Sequence, residues 1–368
     1  MIYLDNGATS FHKPEPVYRA VEQAMRRCAN PGRGGHTAAM EASRAVYRCR
    51  EAAAELFACR PEQVVLTNSC THGLNIAIRS LVRPGSRVVV SGFEHNAVVR
   101  PLYALGADMK VAGRKLFNEQ DTLESFAREL GGADVAVVTH VSNVFGYILP
   151  LEEIAALCRE REIPLIVDAA QSAGMLPVDF AKLGAAFVAM PGHKGLLGPQ
   201  GTGLLLCGSA AQPLLYGGTG SASLPRTMPE DLPERLEAGT LNVPGYAGLT
   251  EGLRYLKHTG VRSIGEREQR QARRCAQGLK KLGMKVFAGE HQSGTVSFLC
   301  GLDSEEAAEK LARQGIAVRA GLHCAPLAHE SAGTLETGTI RVSFGHDAFD
   351  GQTDGFLRAA AKLPRFPA

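Results

Sequence analysis

The 368-residue chain has no tryptophan, only 6% aromatic residues and a formal net charge of just +3. A charge this small, spread along the chain, offers no basic patch for nucleic acid, so we expect no nucleic-acid partner. No uninterrupted apolar run reaches the length of about eighteen residues that a membrane-spanning helix needs. With 45% hydrophobic and 21% charged residues, the composition predicts an ordinary globular protein with no membrane partner.

Paired cysteine motifs are missing as well. The cysteines are odd in number and none lies in a Cys-x-x-Cys pair; the nine occupy positions 28, 49, 59, 70, 158, 207, 275, 300 and 324. This pattern argues against a disulfide framework and a structural zinc site, so we expect no metal. The opening string MIYLDNGATS has neither a basic leader nor an apolar signal segment. Because free thiols suit a reducing compartment, we expect a cytoplasmic protein.

The chain does contain short apolar runs that alternate with helical patterns. Apolar residues at helical spacing predict helices within 17–28, 40–57, 74–81 and 151–161. Strand-like runs occupy 64–67, 87–90, 135–139, 164–167, 187–190 and 203–207. Apolar strands separated by helices indicate an α/β fold whose mostly parallel sheet is covered on both faces. The chain exceeds a single compact core, so we expect two domains.

The pattern changes after the last of these strands. From 216 to 244, Gly, Ser and Pro leave no clear period, which predicts a long functional loop. A helix from Tyr246, a second helix at 304–313 and strands at 284–287, 295–299, 316–319 and 340–344 then predict a smaller α+β domain. No internal repeat or low-complexity tract is present.

Lys194 and Asp168 are the most informative residues. Lys194 lies in the glycine-rich string MPGHKGLLGPQGTG, and both residues come at the end of apolar runs. A lysine amine can hold an aldehyde cofactor as a Schiff base, and a carboxylate can keep a pyridine nitrogen protonated so that the ring accepts electrons. The pair predicts a pyridoxal phosphate site. Taken singly, Lys194 also fits a solvated surface lysine and Asp168 a helix cap.

Several strings, taken as an ordered set, are similar to one family. They are YLDNGAT at 3–9, EHNA at 94–97, DAAQ at 168–171, GHK at 192–194, EAGTLNVPG at 237–245 and TIRVSFG at 339–345. The set resembles the class V aminotransferases, and RAGLHCA at 319–325 resembles the active-cysteine segment of type II cysteine desulfurases. The resemblance covers nearly the whole chain. It implies fold type I of the pyridoxal phosphate-dependent transferases, with a large cofactor-binding domain at 16–244 and a small domain formed by 1–15 and 245–368.

The resemblance also assigns the cofactor ring. Lys194 would bind its aldehyde, Asp168 its pyridine nitrogen and Gln171 its phenolic oxygen. His95 would stack on the ring, and because histidine moves protons near neutral pH it would assist catalysis. Without the resemblance, His95 also fits a satisfied loop histidine and Gln171 an exposed amide.

The cofactor phosphate is assigned to other residues. Cys70 and Thr71 follow a predicted strand at the start of a helix, where free amides bind anions. Ser69 or Thr71 also fits a helix N-cap, and the two interpretations are compatible. By resemblance, His193 and Thr240 are further phosphate ligands. Thr240 would come from a neighbouring subunit, which implies a homodimer.

Cys324 distinguishes desulfuration from transamination. Removing sulfur from cysteine needs a nucleophile that takes the sulfur and becomes a persulfide, whereas transamination needs no thiol. Cys324 follows Arg319 and His323 on a predicted turn, and neighbouring basic groups make a thiol reactive. Most of the other eight cysteines fit buried small hydrophobes. We therefore predict that Lys194, Cys324 and His95 are the catalytic residues.

The predicted substrate-binding residues are Arg341, Asn143 and Arg319. Arg341 would clamp the substrate α-carboxylate with a bidentate fork, assisted by the Asn143 amide. An arginine in a strand of alternating residues also fits the exposed face of that strand. Burial of the Arg341 side chain would distinguish substrate binding from this alternative.

These residues together predict conversion of L-cysteine to L-alanine, with a persulfide on Cys324 that passes to an acceptor thiol or protein. Selenocysteine lyase is an alternative that would act on L-selenocysteine with the same cofactor residues. Another class V transaminase or β-lyase, with Cys324 as a bystander, and a non-catalytic scaffold are further alternatives; a scaffold has no use for the full set.

Four features depart from the family pattern. Pro191 precedes GHK where a serine is usual, and it offers neither a hydroxyl nor an amide donor, so we expect a weaker hold on the cofactor. Cys70 replaces a threonine, Leu322 replaces a histidine, and GHDAF at 345–349 replaces an aromatic-Asn-Thr ending. These departures leave substrate choice and partner docking open.

Overall fold

The structure of the protein is a computed structural model that describes residues 1–32, 34–220 and 223–367. The strands, in chain order, are β1 (Ile2–Tyr3), β2 (Val64–Thr67), β3 (Arg87–Ser91), β4 (Asp108–Ala112), β5 (Val135–Thr139), β6 (Leu165–Asp168), β7 (Phe187–Pro191), β8 (Gly203–Cys207), β9 (Lys285–Phe287), β10 (Thr295–Leu299), β11 (Ile316–Ala317), β12 (Arg319–Gly321) and β13 (Thr339–Ser343). The helices are α1 (Glu15–Arg27), α2 (Thr37–Phe57), α3 (Cys70–Leu81), α4 (Asn96–Ala104), α5 (Glu119–Glu129), α6 (Leu151–Glu160), α7 (Phe180–Leu183), α8 (Val243–Thr259), α9 (Val261–Lys281), α10 (Ser304–Ala312), α11 (Pro326–Ala332) and α12 (Asp350–Ala360).

A seven-stranded sheet has the strand order β2-β8-β7-β6-β5-β3-β4. Its strands from β3 to β7 pair in parallel, whereas β8 is antiparallel to both of its neighbours, β7 and β2. β2 therefore runs in the same direction as the parallel set. The carboxyl ends of β2, β3, β5, β6 and β7 meet at one edge, which is where open α/β sheets bind ligands. The predicted α/β fold with a mostly parallel sheet is confirmed.

Both faces of this sheet are buried. In β2, Val64 and Leu66 belong to one apolar core and Val65 to the other, and in β3 Val89 and Val90 are divided in the same way. Successive side chains of a strand point to opposite faces. The continuous apolar runs in the sequence therefore reflect helices packed on both sides.

A second sheet has four antiparallel strands in the order β12-β13-β10-β9. It packs with α9 and α10 around its own apolar core, to which α12 also contributes. β1 pairs in parallel with β11, and Leu4 belongs to this core. The N-terminal segment therefore packs with the four-stranded sheet and its core.

The domain division stays a prediction, and we propose that its boundary lies beyond residue 244. Helix α8 packs against α1 and α2, and its Tyr246 and Leu253 share the core of the seven-stranded sheet. Ile264, near the start of α9, belongs to that core too, whereas Ala272 belongs to the core of the four-stranded sheet. The two cores therefore divide within α9.

The sequence does not predict β1, α4, α5, α7, α11 or α12, and three further elements differ from the prediction. β4 is not predicted because its sequence, DMKVA, is mostly half-buried and has no continuous apolar run. The strand predicted at 316–319 divides into β11 and β12, which belong to different sheets. Helix α3 begins at Cys70, earlier than its apolar pattern indicates, because Ser69 caps it.

The predicted loop at 216–244 is largely irregular. Its described residues contain a short 3-10 helix, Glu234–Leu236, before α8 begins at Val243. Ser221 and Ala222 lie outside the described residues. Within the described part of the chain, none of the helices has the length and apolar character that crossing a membrane requires.

A buried ion pair connects this loop to the sheet. Arg50 Nη2 lies 2.5 Å from Glu237 Oε2, and Arg50 Nη1 donates to Glu237 Oε1 at 2.8 Å and to the Val64 carbonyl at 2.5 Å. Glu237 Oε1 also accepts the Leu66 amide at 2.6 Å. The Arg50 and Glu237 side chains are only 9% and 5% exposed. The pair therefore joins α2, β2 and the segment that leads to Thr240.

We expect Arg50→Met to lower the free energy of unfolding by about 3–5 kcal/mol, because it leaves the Glu237 carboxylate buried without its counter-charge. Urea denaturation followed by circular dichroism measures the change. Arg48→Met, at an exposed position of the same helix, is the matched control and should shift the free energy by less than about 0.5 kcal/mol. Equal stability of Arg50→Met and the parent protein would contradict a structural function for the pair.

Candidate active site

A cavity lies at the carboxyl edge of the seven-stranded sheet. Each predicted side chain around it follows a strand: Asp168 ends β6, Lys194 follows β7, His95 follows β3 and Asn143 follows β5. The cavity is lined by Ser69, Cys70, Thr71, His95, Ala97, Thr139, Val141, Asn143, Asp168, Ala170, Gln171, Pro191, His193 and Lys194. The structure therefore brings together the residues predicted for the cofactor, with Thr240 as the exception.

Close backbone packing positions Lys194. A Cβ at Gly195 would overlap the Ala173 carbonyl, and a Cβ at Gly192 would overlap the Thr202 hydroxyl, so only glycine permits these approaches. Burial and the positive charge of Arg341 lower the pKa of Lys194. A lowered pKa favours the neutral amine, which is the form that attacks an aldehyde.

Asp168, which is 2% exposed, is oriented by two donors to one oxygen. Its Oδ1 accepts the Ala170 amide at 2.8 Å and the Cys70 thiol at 3.5 Å. Burial and the charge of Asp168 raise the pKa of Cys70 well above its ordinary value, so the thiol stays protonated. The Cys70 side chain is thus directed to Asp168, and the predicted phosphate contact at this position is left to its backbone amide.

The N-terminus of α3 opens onto the same cavity. Ser69 Oγ accepts the His72 amide at 3.1 Å, so Ser69 is the helix N-cap. The amides of the first helical residues, Cys70 and Thr71, have no partner inside the helix by its geometry. They fit the predicted anion site.

His95 and Gln171 are also oriented by hydrogen bonds. His95 caps α4, where its Nδ1 accepts the Ala97 amide at 3.0 Å. Burial lowers the pKa of His95, so the neutral ring carries its proton on Nε2. Gln171 Nε2 donates to the Gly7 carbonyl at 3.0 Å, which connects the cavity to the N-terminal segment.

Arg341 lies inside the protein, which excludes the exposed-face alternative. Its side chain is 2% exposed, and its Nη2 lies 2.7 Å from Asp5 Oδ1. Arg341 Nη1 donates to the Asn143 carbonyl at 3.0 Å. Among the described residues, Arg341 Nε and Asn143 Oδ1 are buried without a hydrogen-bond partner. Unpaired buried polar atoms call for a partner, and a bound carboxylate would satisfy the Arg341 donor.

Cys324 is exposed, whereas the other cysteines are buried or half-buried. His323 and Cys324 both adopt left-handed backbone conformations, with φ of 49° and 57°. The Cys324 carbonyl accepts the Asn96 amide at 2.7 Å, and the His323 carbonyl accepts Asn143 Nδ2 at 2.7 Å. His323 Nε2 donates to the Thr339 carbonyl at 3.1 Å. These bonds hold the Cys324 turn beside His95 and Asn143, which line the cavity.

Four predicted residues are not among those that line this cavity: Cys324 and Arg341, whose contacts reach residues around it, and Arg319 and Thr240. Arg319 is exposed in β12, directly opposite Arg341 in β13. Thr240 lines a different cavity together with Glu237 and Gly218. Since Thr240 is predicted to act in a neighbouring subunit, its assignment stays a prediction.

The sequence prediction misses Asp5 and Thr9 as individual residues. Asp5 pairs with Arg341, and Thr9 contacts His193. Contacts between segments this distant in the chain have no periodic signal. Only the family resemblance of the string YLDNGAT points to them.

The site fits the predicted pyridoxal phosphate. Lys194, whose pKa is lowered, and Asp168 line the same cavity. Asp168 Oδ1 already accepts the Ala170 amide, so Oδ2 is left for the pyridine nitrogen. The start of α3 adds amide donors at the same cavity, which suit a phosphate. Lys194, Asp168 and the first residues of α3 would hold the aldehyde, the pyridine nitrogen and the phosphate, respectively.

Comparisons with known proteins agree with this site. The family model described as aminotransferase class-V matches residues 2–354. A probable cysteine desulfurase from Pyrococcus abyssi is 33% identical over 365 residues, which cover 94% of this chain and 89% of that protein. A probable cysteine desulfurase from Xylella fastidiosa is 31% identical and covers 99% of this chain and 91% of its own length. The solved apo structure of a cysteine desulfurase from Thermococcus onnurineus aligns with a TM-score of 0.90 and 30% identity, and covers 98% of this chain and 94% of that one.

Proposed function

Because this chain belongs to the class V aminotransferase family and is a pyridoxal phosphate-dependent cysteine desulfurase, we propose that Lys194, Asp168 and Cys324 convert L-cysteine to L-alanine. One observation carries the assignment: the exposed Cys324 lies on a turn that is bonded to Asn96 and Asn143, at the border of the Lys194 cavity. An exposed thiol and a cofactor lysine are thereby presented to one substrate.

Substrate binding is assigned to Arg341. Its unpaired Nε donates to the α-carboxylate, while the Asn143 carbonyl and Asp5 accept from Nη1 and Nη2 and hold the guanidinium in place. Arg319, on the neighbouring strand, adds a second positive charge at this side. The carboxylate is thus fixed while the substrate amine and sulfur face Lys194 and Cys324.

Proton transfer is assigned to Lys194, with His95 beside it. When bound, pyridoxal phosphate supplies an electron sink for the substrate carbon next to the amine. Lys194 removes the proton from that carbon, because its pKa is lowered and its amine is available as a base. The neutral His95 ring can donate a hydrogen bond from Nε2. It has no free acceptor, because its Nδ1 already accepts the Ala97 amide.

Sulfur transfer is assigned to Cys324. Its thiolate attacks the substrate sulfur, an S–S bond forms and the Cβ–S bond breaks. The released electron pair stays on the substrate carbon skeleton, which takes up a proton at Cβ. Lys194 returns the proton to the carbon next to the amine, and the product is alanine. Cys324 is left as a persulfide.

The partners and the compartment complete the proposal. Thr240 is exposed and does not line the Lys194 cavity of its own subunit, and this supports a homodimer in which Thr240 reaches the neighbouring site. The exposed Cys324 supports transfer of its sulfur to an acceptor thiol or protein. Nine free cysteines support a reducing, cytoplasmic environment.

Incubation with L-cysteine and a thiol reductant tests this function. We expect alanine and sulfide in equal amounts, because each turnover releases one of each. Amino-acid analysis and sulfide determination measure the two products. Pyruvate in place of alanine would indicate a β-lyase and contradict the proposal. Much faster turnover of L-selenocysteine than of L-cysteine would favour selenocysteine lyase, because selenium leaves more readily.

A further inference from the structure

We propose that Thr9 is a positioning residue whose hydroxyl donates to Nδ1 of His193 and keeps the ring proton on Nε2, available to a phosphate. The inference rests on the proposed function only in assigning a phosphorylated cofactor to the cavity that His193 lines. Thr9 lies far from GHK in the chain, and no feature of composition or periodicity connects the two.

The Thr9 hydroxyl lies within hydrogen-bond distance of two possible acceptors on His193. Thr9 Oγ1 lies 3.0 Å from His193 Nδ1 and 3.1 Å from the His193 carbonyl oxygen. The single hydroxyl proton of Thr9 serves one of these two acceptors at a time. If it goes to the carbonyl, Nδ1 must be the protonated nitrogen and donate to Thr9. If it goes to Nδ1, the neutral ring is protonated on Nε2.

The neighbouring Ser10 decides between these arrangements. The His193 carbonyl already accepts the Ser10 amide at 3.0 Å and the Ser10 hydroxyl at 3.1 Å. Lys13 Nζ donates to Ser10 Oγ at 2.9 Å, so the Ser10 hydroxyl proton is directed to the carbonyl. A carbonyl oxygen has two lone pairs, and Ser10 uses both. The Thr9 proton is therefore left for Nδ1.

His193 has only one ring proton to place. Burial, together with the charges of Lys194 and Lys13, lowers the pKa of His193 to about 4. The ring is therefore neutral near neutral pH, and one nitrogen is a donor while the other is an acceptor. Only the Nε2–H form donates to an acceptor-only group from the side opposite Thr9.

This tautomer has consequences for anion binding. A phosphate offers only acceptors near neutral pH, so a bare Nε2 lone pair would repel it. Pro191, which also lines the cavity, has neither a hydroxyl nor an amide hydrogen to contribute. The cavity therefore depends on the His193 donor more strongly than it would with a hydroxyl residue at 191.

The affinity of the apo protein for two ligands tests the proposal. We expect Thr9→Val, which removes the hydroxyl and keeps the shape, to weaken pyridoxal phosphate binding roughly tenfold, the effect of one hydrogen bond to a charged group. Pyridoxal, which has no phosphate, should bind the same variant within about twofold of the parent protein. Thr9→Ser keeps the hydroxyl and is the matched control, expected to retain the affinity for both ligands. The absorbance of the lysine-bound cofactor measures both dissociation constants.

A spectroscopic measurement reports the tautomer directly. Nitrogen NMR of imidazole-labelled apo protein, with His193 assigned from its loss in His193→Gln, should show a neutral ring protonated on Nε2. Finding the proton on Nδ1 in the parent protein overturns the proposal, and so does equal weakening of both ligands by Thr9→Val. If Thr9→Val does not fold, the NMR result on the parent protein still decides. Failure of the parent protein to bind either ligand would instead contradict the proposed function.

Discussion

Replacing Cys324 by alanine is expected to lower the rate of sulfur release from L-cysteine by roughly three orders of magnitude or more, which corresponds to about 4 kcal/mol of lost transition-state stabilisation. The reason is that, among the residues that the structure describes, no other cysteine is exposed and able to take the substrate sulfur. Cofactor absorbance should be unchanged, because Cys324 does not line the cofactor cavity. Sulfide and alanine production measure the rate.

Cys28→Ala is the matched control for this experiment. Cys28 is half-buried at the end of α1 and lines a different cavity, formed with α2 and α8, so its removal should leave turnover intact. Desulfurase turnover retained by Cys324→Ala would refute the assignment of this thiol. Testing the same variant with L-selenocysteine separates the alternatives, because a lyase that bypasses the thiol would keep its activity on selenium only.

Lys194→Ala is expected to abolish covalent attachment of the cofactor and to lower turnover more than roughly a thousandfold. The variant loses both the amine that binds the aldehyde and the base that moves the substrate proton. Borohydride reduction followed by mass spectrometry should show the cofactor adduct on the parent protein and none on the variant.

Lys182→Ala removes an exposed lysine that pairs with Glu152 and serves as the control. It should retain both the adduct and the activity. A cofactor adduct that persists in Lys194→Ala would place the covalent bond on another lysine and contradict the site described here.

The sequence predicts the central sheet and its covering helices because buried strands and helices show recognisable patterns of apolar residues along the chain. Strands of the seven-stranded sheet are buried on both faces, so their apolar runs are visible without any knowledge of their partners. β4 is missed because it is mostly half-buried and its sequence mixes polar and apolar residues. The division between β11 and β12 is missed because the two belong to different sheets, a fact that neighbouring residues do not encode.

The candidate site is predictable to the extent that its residues follow strands. Asp168 ends a buried strand and His95 and Asn143 follow buried strands, and the shared edge of a parallel sheet brings the three together. The contacts of Asp5 with Arg341 and of Thr9 with His193 depend on the folded path of the N-terminal segment. The direction of the Cys70 thiol toward Asp168 is equally a product of packing.

The buried pair of Arg50 and Glu237 has a consequence for assembly. Glu237 lies just ahead of Thr240 in the chain, and its anchoring to α2 and β2 sets where that threonine is displayed. In the proposed dimer, loss of the ion pair in one subunit would displace the Thr240 of that subunit. The neighbouring site, whose own residues are intact, would then bind the cofactor more weakly. Mixed dimers of parent and Arg50→Met chains would thus show their defect in the parent half.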